Sequence, residues 1–141
     1  MIIRELKIED LKNDSFFQTL SNLRPIEKMP FDLAKEIFLN CQQKGIEIYV
    51  AEDNDLIVGI IRLISEPKFY HQGRQAGHIE DVSTHPDYLG RGVAKSLINH
   101  IINLARERNY YKIILDCSEE LIDFYKKFGF SVSEKNMRLN L

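Results

Sequence analysis

Cysteine is scarce in this 141-residue chain. Cys41 and Cys117 are the only two and stand far apart. Their spacing fits no zinc or redox motif, so no metal is expected. Charge of one sign is also lacking. A formal net charge of -2 gives no reason to expect nucleic acid or an anionic membrane as partner. Long apolar runs are missing, and no stretch approaches the ~20 residues that span a bilayer. Met1-Ile2-Ile3-Arg4 lacks the layout of a secretory leader. Two free thiols without such a leader fit a cytoplasmic location. Internal repeats and low-complexity segments are absent too. What remains is an ordinary globular composition with enough residues for one sizeable core, expected as one domain over 1–141.

The most informative segment is a strand that runs through a glycine-bearing turn into a helix. It reads Gly77-His78-Ile79-Glu80-Asp81-Val82-Ser83-Thr84 and then His85-Pro86-Asp87-Tyr88-Leu89-Gly90-Arg91-Gly92-Val93-Ala94-Lys95. Small residues at Gly90, Gly92 and Ala94 let the backbone approach a ligand closely. The first amides of a helix lack internal partners and face the positive end of its dipole, so the turn suits a phosphate group. The dinucleotide fingerprint needs a third glycine with an acid about 20 residues on, and the nucleoside-triphosphate loop needs Gly-Lys-Ser/Thr. Neither is present.

The apolar spacing predicts a strand over residues 1 to 8 and a helix capped by Asp10 that carries Leu11, Phe16, Phe17, Leu20 and Leu23. Pro25 breaks it. A second helix follows Pro30 and ends at Gly45. Strands are predicted over 46–52 and 56–65, separated by the turn at Asp53-Asn54-Asp55. The helix over 92–108 buries Val93, Leu97, Ile98, Ile101, Ile102, Leu104 and Ala105. A strand over 111–116 follows. Ser118 is placed to cap a fourth helix that Gly129 stops, and residues 130 to 140 read as a closing strand. The unit from Gly77 to Asp116 is expected as a parallel crossover. A ligand then sits at the carboxyl ends of its strands, near Glu80, Gly90–Lys95 and Asp116.

The turn and the element order resemble the GNAT acetyltransferases, whose signature is Gln/Arg-x-x-Gly-x-Gly/Ala. Here it aligns as Leu89-Gly90-Arg91-Gly92-Val93-Ala94, with Leu89 departing from the pattern. Three further segments are similar to the glucosamine-6-phosphate N-acetyltransferases: Gly77–Val82, Tyr111–Cys117 and Phe124–Phe130. Glu66-Pro67-Lys68-Phe69-Tyr70-His71 resembles that family's loop before the active strand. The resemblance implies an α/β GNAT fold, with a central mixed, mostly antiparallel sheet flanked by about four helices. It also implies a homodimer whose last strand reaches the neighbour's site, and acetyl-CoA as co-substrate.

By that resemblance, the turn from Gly90 through Arg91, Gly92, Val93 and Ala94 to Lys95 holds the pyrophosphate of acetyl-CoA. The main chain at Val82 and Thr84 pairs with the pantetheine arm. Lys68, Phe69, Tyr70, His71, Glu80, Asp81, Tyr111 and Lys112 map onto the amino-sugar site. Asp116 falls near the thioester, and Tyr125 matches a tyrosine that hydrogen-bonds or protonates the departing sulfur. An ammonium ion has no lone pair, so a base must take its proton, and Glu80 is the first candidate. Asp81 points to the opposite face of a regular strand, so both acids serve one site only if the strand bulges or a second subunit takes part. A bulge would also free the amide at the Asp81–Val82 step to polarise the thioester carbonyl. His78 is expected to face away from this pocket as a packed histidine. Lys68 and Arg74 could attract an anionic substrate.

Two departures bear on the acceptor and the cofactor. Asn140 stands where the family carries a phosphate-gripping arginine, and Arg138 would face the same way about 6.6 Å along a strand. Leu121 replaces an asparagine that contacts CoA, a loss of roughly 1 kcal/mol. The acceptor is therefore read as glucosamine 6-phosphate first, with unphosphorylated glucosamine or another primary amine second. A non-catalytic acyl-CoA-binding module is the rival from another class.

Overall fold

Two apolar, alternating segments form the centre of the sheet in the computed structural model, which describes residues 1–141. They are β2 (Ile46–Asp53) and β3 (Leu56–Pro67), joined through Asn54 and Asp55, both at positive φ (49° and 62°). β1 (Ile2–Glu5) pairs antiparallel with β2, and β4 (Gln75–Thr84) antiparallel with β3. β5 (Lys112–Leu115) pairs parallel with β4. The spatial order β1-β2-β3-β4-β5 is the chain order. The helices are α1 (Asp14–Ser21), α2 (Phe31–Gln43), α3 (Val93–Glu107) and α4 (Ile122–Lys126).

The two-residue period of each strand divides its side chains between two cores. On one face Val50 and Ile60 pack with Phe16, Phe17, Ala34 and Phe38 of α1 and α2. On the other, Tyr49, Ile61, Leu63 and Ile79 pack with Val93, Leu97, Ile98 and Ile101 of α3. Each fully buried aliphatic side chain contributes about 1.5–3 kcal/mol by leaving water. Gly59 lets α3 lie directly on β3: a Cβ there would stand 2.4 Å from Val93 Cγ1 and 2.9 Å from Leu97 Cδ1. The start of α3 is thus fixed against the sheet.

Four expectations need correction. Asp10 caps no long helix. Residues Ile8–Lys12 form a 3₁₀ turn, and α1 begins later, with the Asn13 side chain accepting from the Ser15 amide. Asp10 instead holds Arg4 through two bonds of 2.7 and 2.8 Å. The fourth helix is short: Glu119–Leu121 is a 3₁₀ turn without a side-chain cap from Ser118, and only Ile122–Lys126 is α-helical. Residues 130–140 form no strand, because no edge of the sheet within the chain pairs with them. Phe130 still packs on Tyr125, while Val132, Met137 and Leu139 are exposed. His78 does not face away from Glu80, for reasons that lie in the strand's period.

Candidate active site

The cleft begins where β4 and β5 part. Their pairing runs from Ala76 opposite Lys112 to Ile79 opposite Leu115 and stops there, while β4 continues to Thr84. From Glu80 onward the outer edge of β4, including Val82 and Thr84, has no strand beside it. β4 also bulges at this point. Ile60 pairs with Ser83 and Arg62 with Glu80, so Asp81 and Val82 together oppose Ile61. Asp81 takes φ 51°, a left-handed conformation that costs a non-glycine residue roughly 1–2 kcal/mol. Of the two routes that the sequence left open for adjacent acids to serve one site, a bulge or a second subunit, a bulge is present.

Glu80 and His78 lie two residues apart and so share a face. His78 Nε2 stands 3.4 Å from Glu80 Oε1 and 3.6 Å from Asp116 Oδ2. Asp116 follows β5, so three residues from two strands bring their polar atoms within 4.8 Å of one another. Asp81 is turned aside and pairs with Arg62 Nη1 at 2.6 Å. Along β5 lies a cavity of about 750 Å³ lined by that strand, His78, Asp116, Tyr125 and the segment after Gly129. Tyr125 is buried in the α3 core cluster. Burial pushes its phenol above the ordinary value and the neighbouring Cys117 adds to the shift, so the hydroxyl keeps its proton.

The glycine turn offers a row of donors. The amides of Gly90, Gly92, Val93, Ala94 and Lys95 donate to no carbonyl in the chain, and the first bond of α3 runs from Ser96 to Gly92 O at 3.0 Å. Gly90 and Gly92 have φ of 74° and 80°, and a Cβ at either would meet nothing within 4 Å. Open backbone, unpartnered amides and a helix start fit a pyrophosphate group. The Val93 side chain turns inward and is buried, leaving only its amide for a ligand. The Arg91 guanidinium rests over the Tyr88 ring at 4.9 Å and adds positive charge at the mouth. Leu89 is exposed.

Residues 7–130 match the Acetyltransferase (GNAT) family. The chain belongs to the GNAT acetyltransferases. Its chemistry is acetyl transfer from acetyl-CoA to an amine. A glucosamine 6-phosphate N-acetyltransferase of Trypanosoma brucei brucei is 42% identical over 95 residues, which make up 67% of this chain and 65% of that protein. One from Candida albicans is 30% identical over 131 residues, 90% of this chain and 87% of its own length. The solved structure of glucosamine-6-phosphate N-acetyltransferase from Arabidopsis thaliana superposes with a TM-score of 0.90 at 29% identity, covering 99% of this chain and 97% of the other.

The remaining predicted site residues form a second group at the opposite end of β5. His71 stacks on Tyr111 with ring centroids 4.1 Å apart, and Tyr70 meets Tyr111 edge-on. Lys112 Nζ lies 5.6 Å from the same ring. Lys68 is paired with Glu66, and Phe69 is fully exposed. Four strand steps, about 13 Å, separate Lys112 from Asp116. Arg74 is no free anion trap, because it donates to the carbonyls of Asn109 and Tyr110 at 3.0 and 2.9 Å.

Two neighbours of the site escaped sequence reasoning. The i, i+2 spacing to Glu80 already placed His78 on the acid's face. Arg62 left no such signal, since only the register sets it across from Glu80.

Proposed function

We propose that this acetyltransferase acts on the amine of glucosamine 6-phosphate by direct attack in a ternary complex, as one GNAT unit over 1–141. The observation that carries the reading is the meeting of Glu80 and Asp116 where β4 leaves β5, with Tyr125 lining the same cavity. Carboxylates at that point can hold and deprotonate an ammonium. Lys112 at the start of β5 and Asp116 just past its end line the same cavity, which is therefore basic at one end and acidic at the other. An amino-sugar phosphate carries the complementary charges at its two ends.

Acetyl-CoA supplies an acetyl group activated as a thioester. The amides from Gly90 to Lys95 grip its pyrophosphate, and the main chain at Val82 and Thr84 aligns the pantetheine. Glu80 takes a proton from the amine. The amide at the Asp81–Val82 bulge donates to the carbonyl oxygen as negative charge develops there. The Tyr125 hydroxyl donates to the departing sulfur. Its raised proton affinity favours a hydrogen bond over complete transfer. Every step is assigned to a side chain or amide, and none calls for a metal.

We assign the enzyme to the cytoplasm, apart from membranes and nucleic acid, and to a homodimer. The unpaired edge of β5 and the exposed alternation Met137, Leu139, Leu141 support association between copies. Asn140 favours one second reading, an unphosphorylated glucosamine acceptor. CoA-thiol release with glucosamine 6-phosphate and glucosamine side by side tests both. A preference for the phosphorylated sugar of tenfold or more in kcat/KM is expected. The reverse preference would establish the second reading, and turnover with neither would overturn the amino-sugar assignment.

A further inference from the structure

Glu80 and Asp116 pose a problem of their own. Two carboxylates that approach this closely repel, so something must hold both aimed at one point. Neither is paired with a lysine or arginine, and the basic side-chain atom beside both is His78 Nε2, at 3.4 and 3.6 Å. Nε2 of His78 is itself buried and makes no hydrogen bond within the chain.

We propose that His78 is a positioning residue, whose buried and otherwise unbonded Nε2 lies within 3.6 Å of both the Glu80 and the Asp116 carboxylate and supplies the one donor in reach of both at the mouth of the cleft. With acceptors on both sides of Nε2, the proton belongs on that nitrogen, in the neutral ring as in the charged one. The elements are placed for this role. His78 and Glu80 stand on one face of β4, and β5 brings Asp116 in from the side. The other charged groups around the imidazole are Glu66 on β3, Lys112 on β5, and Glu134 and Lys135 of the terminal segment that lines the same cavity. They are of mixed sign, so the two close acids dominate its surroundings. His78 touches neither the acceptor's reacting nitrogen nor the thioester. It acts through Glu80, and the inference rests on the assignment of Glu80 as base.

Two substitutions separate a donor from a packing group. His78→Gln keeps an N–H donor of similar reach, whereas His78→Leu fits the apolar neighbours Ile64 and Ile114 and removes the donor. In His78→Leu, kcat for the preferred amine is expected to fall by about tenfold or more, the weight of a hydrogen bond to a charged group. KM for acetyl-CoA is expected to stay within twofold, and the acid limb of the kcat/KM profile to move to higher pH. His78→Gln is expected to retain kcat within threefold, with the limb unmoved. Carbon NMR of the Glu80 carboxyl needs no acceptor and is independent of the sugar assignment. Glu80 is expected to bind its proton about tenfold more tightly in His78→Leu than in wild type. An unchanged Glu80 titration in His78→Leu, or a His78→Gln enzyme as impaired as His78→Leu, would overturn the proposal.

Discussion

Gly59 ties the fold to the cofactor site through a single absent atom. In Gly59→Ala the new methyl would stand 2.4 Å from Val93 Cγ1, 2.9 Å from Leu97 Cδ1 and 3.2 Å from Ala51 Cβ. Replacing a strand glycine by alanine normally gains about 0.5–1 kcal/mol from the unfolded chain. Overpacking of a dense core costs about 1–3 kcal/mol and often more when the contact is this short. The clash outweighs the entropy, and the net expectation is a loss of about 1–2 kcal/mol. For a domain of this size that lowers the melting temperature by roughly 3–8 °C. The strain has a direction, because Val93 and Leu97 lie in the first two turns of α3. The helix start must move off the sheet, and its amides move with it. KM for acetyl-CoA should therefore rise by about fivefold or more, the effect of weakening one or two hydrogen bonds to a charged group. Gly77→Ala is the control: its nearest contacts are milder, at 3.1 to 3.3 Å, and lie on Leu63 and Tyr110, away from α3. Scanning calorimetry reads the stability, and titration with acetyl-CoA reads the site. A Gly59→Ala protein with wild-type melting and wild-type affinity would refute the claim that β3 sets the position of the cradle.

Other substitutions probe the site more directly. Tyr125→Phe keeps the buried ring, so stability should change by less than about 1 kcal/mol. Its kcat should drop ten- to a hundredfold with acetyl-CoA KM within twofold, read by thiol release. Gly92→Ala has space in the protein but must hold φ 80°, at a cost of roughly 1–2 kcal/mol. The strain falls on the turn that carries the free amides, and about a tenfold rise in acetyl-CoA KM is expected, with little change in kcat. Asp10→Asn tests the acid side of the stability curve. Burial tends to raise the Asp10 carboxyl, but the bonds from Arg4 and the Lys7 amide outweigh it and hold it below its ordinary value. A group lowered on folding stabilises above its unfolded titration point and loses that contribution as pH falls through the folded one. Asp10→Asn should thus be less stable than wild type by about 1–2 kcal/mol at pH 7, with the gap closing towards pH 3. Thermal melts across that range read the difference.

Much of this was legible because it follows from period and punctuation. The amphipathic stripe from Val93 to Ala105 gave α3 to within a residue at each end, and the strands on either side of Asn54-Asp55 came out nearly as long as they are. The turn from Gly90 to Lys95 could be read because two glycines stand just before an apolar helical stripe, and the structure leaves the amides there open. The bulge was inferred from chemistry, from two neighbouring acids that needed one region. Hidden features depended on contacts distant in sequence. The Arg62–Asp81 pair requires the register of β3 on β4. The terminal segment alternates like a strand, but alternation supplies no pairing, and the segment joins neither free edge of the sheet. Helix α4 fell short of the span from Ser118 to Gly129 because the segment opens as a 3₁₀ turn and Leu121 there is exposed rather than packed.

The bulge in β4 also has a consequence that is purely one of counting. Between Glu80 and Ser83 the strand holds two residues where β3 holds one, so β4 is a single residue longer than the sheet requires. Removing Asp81 restores one-to-one pairing on both sides without shifting any other residue to the wrong face. A one-residue deletion, usually the harshest change a strand can suffer, is here the change that the sheet is best able to heal. What it erases is the left-handed step, the Asp81–Arg62 pair and the opened backbone beside Glu80. The same chain one residue shorter in β4 would keep the fold and forfeit the geometry.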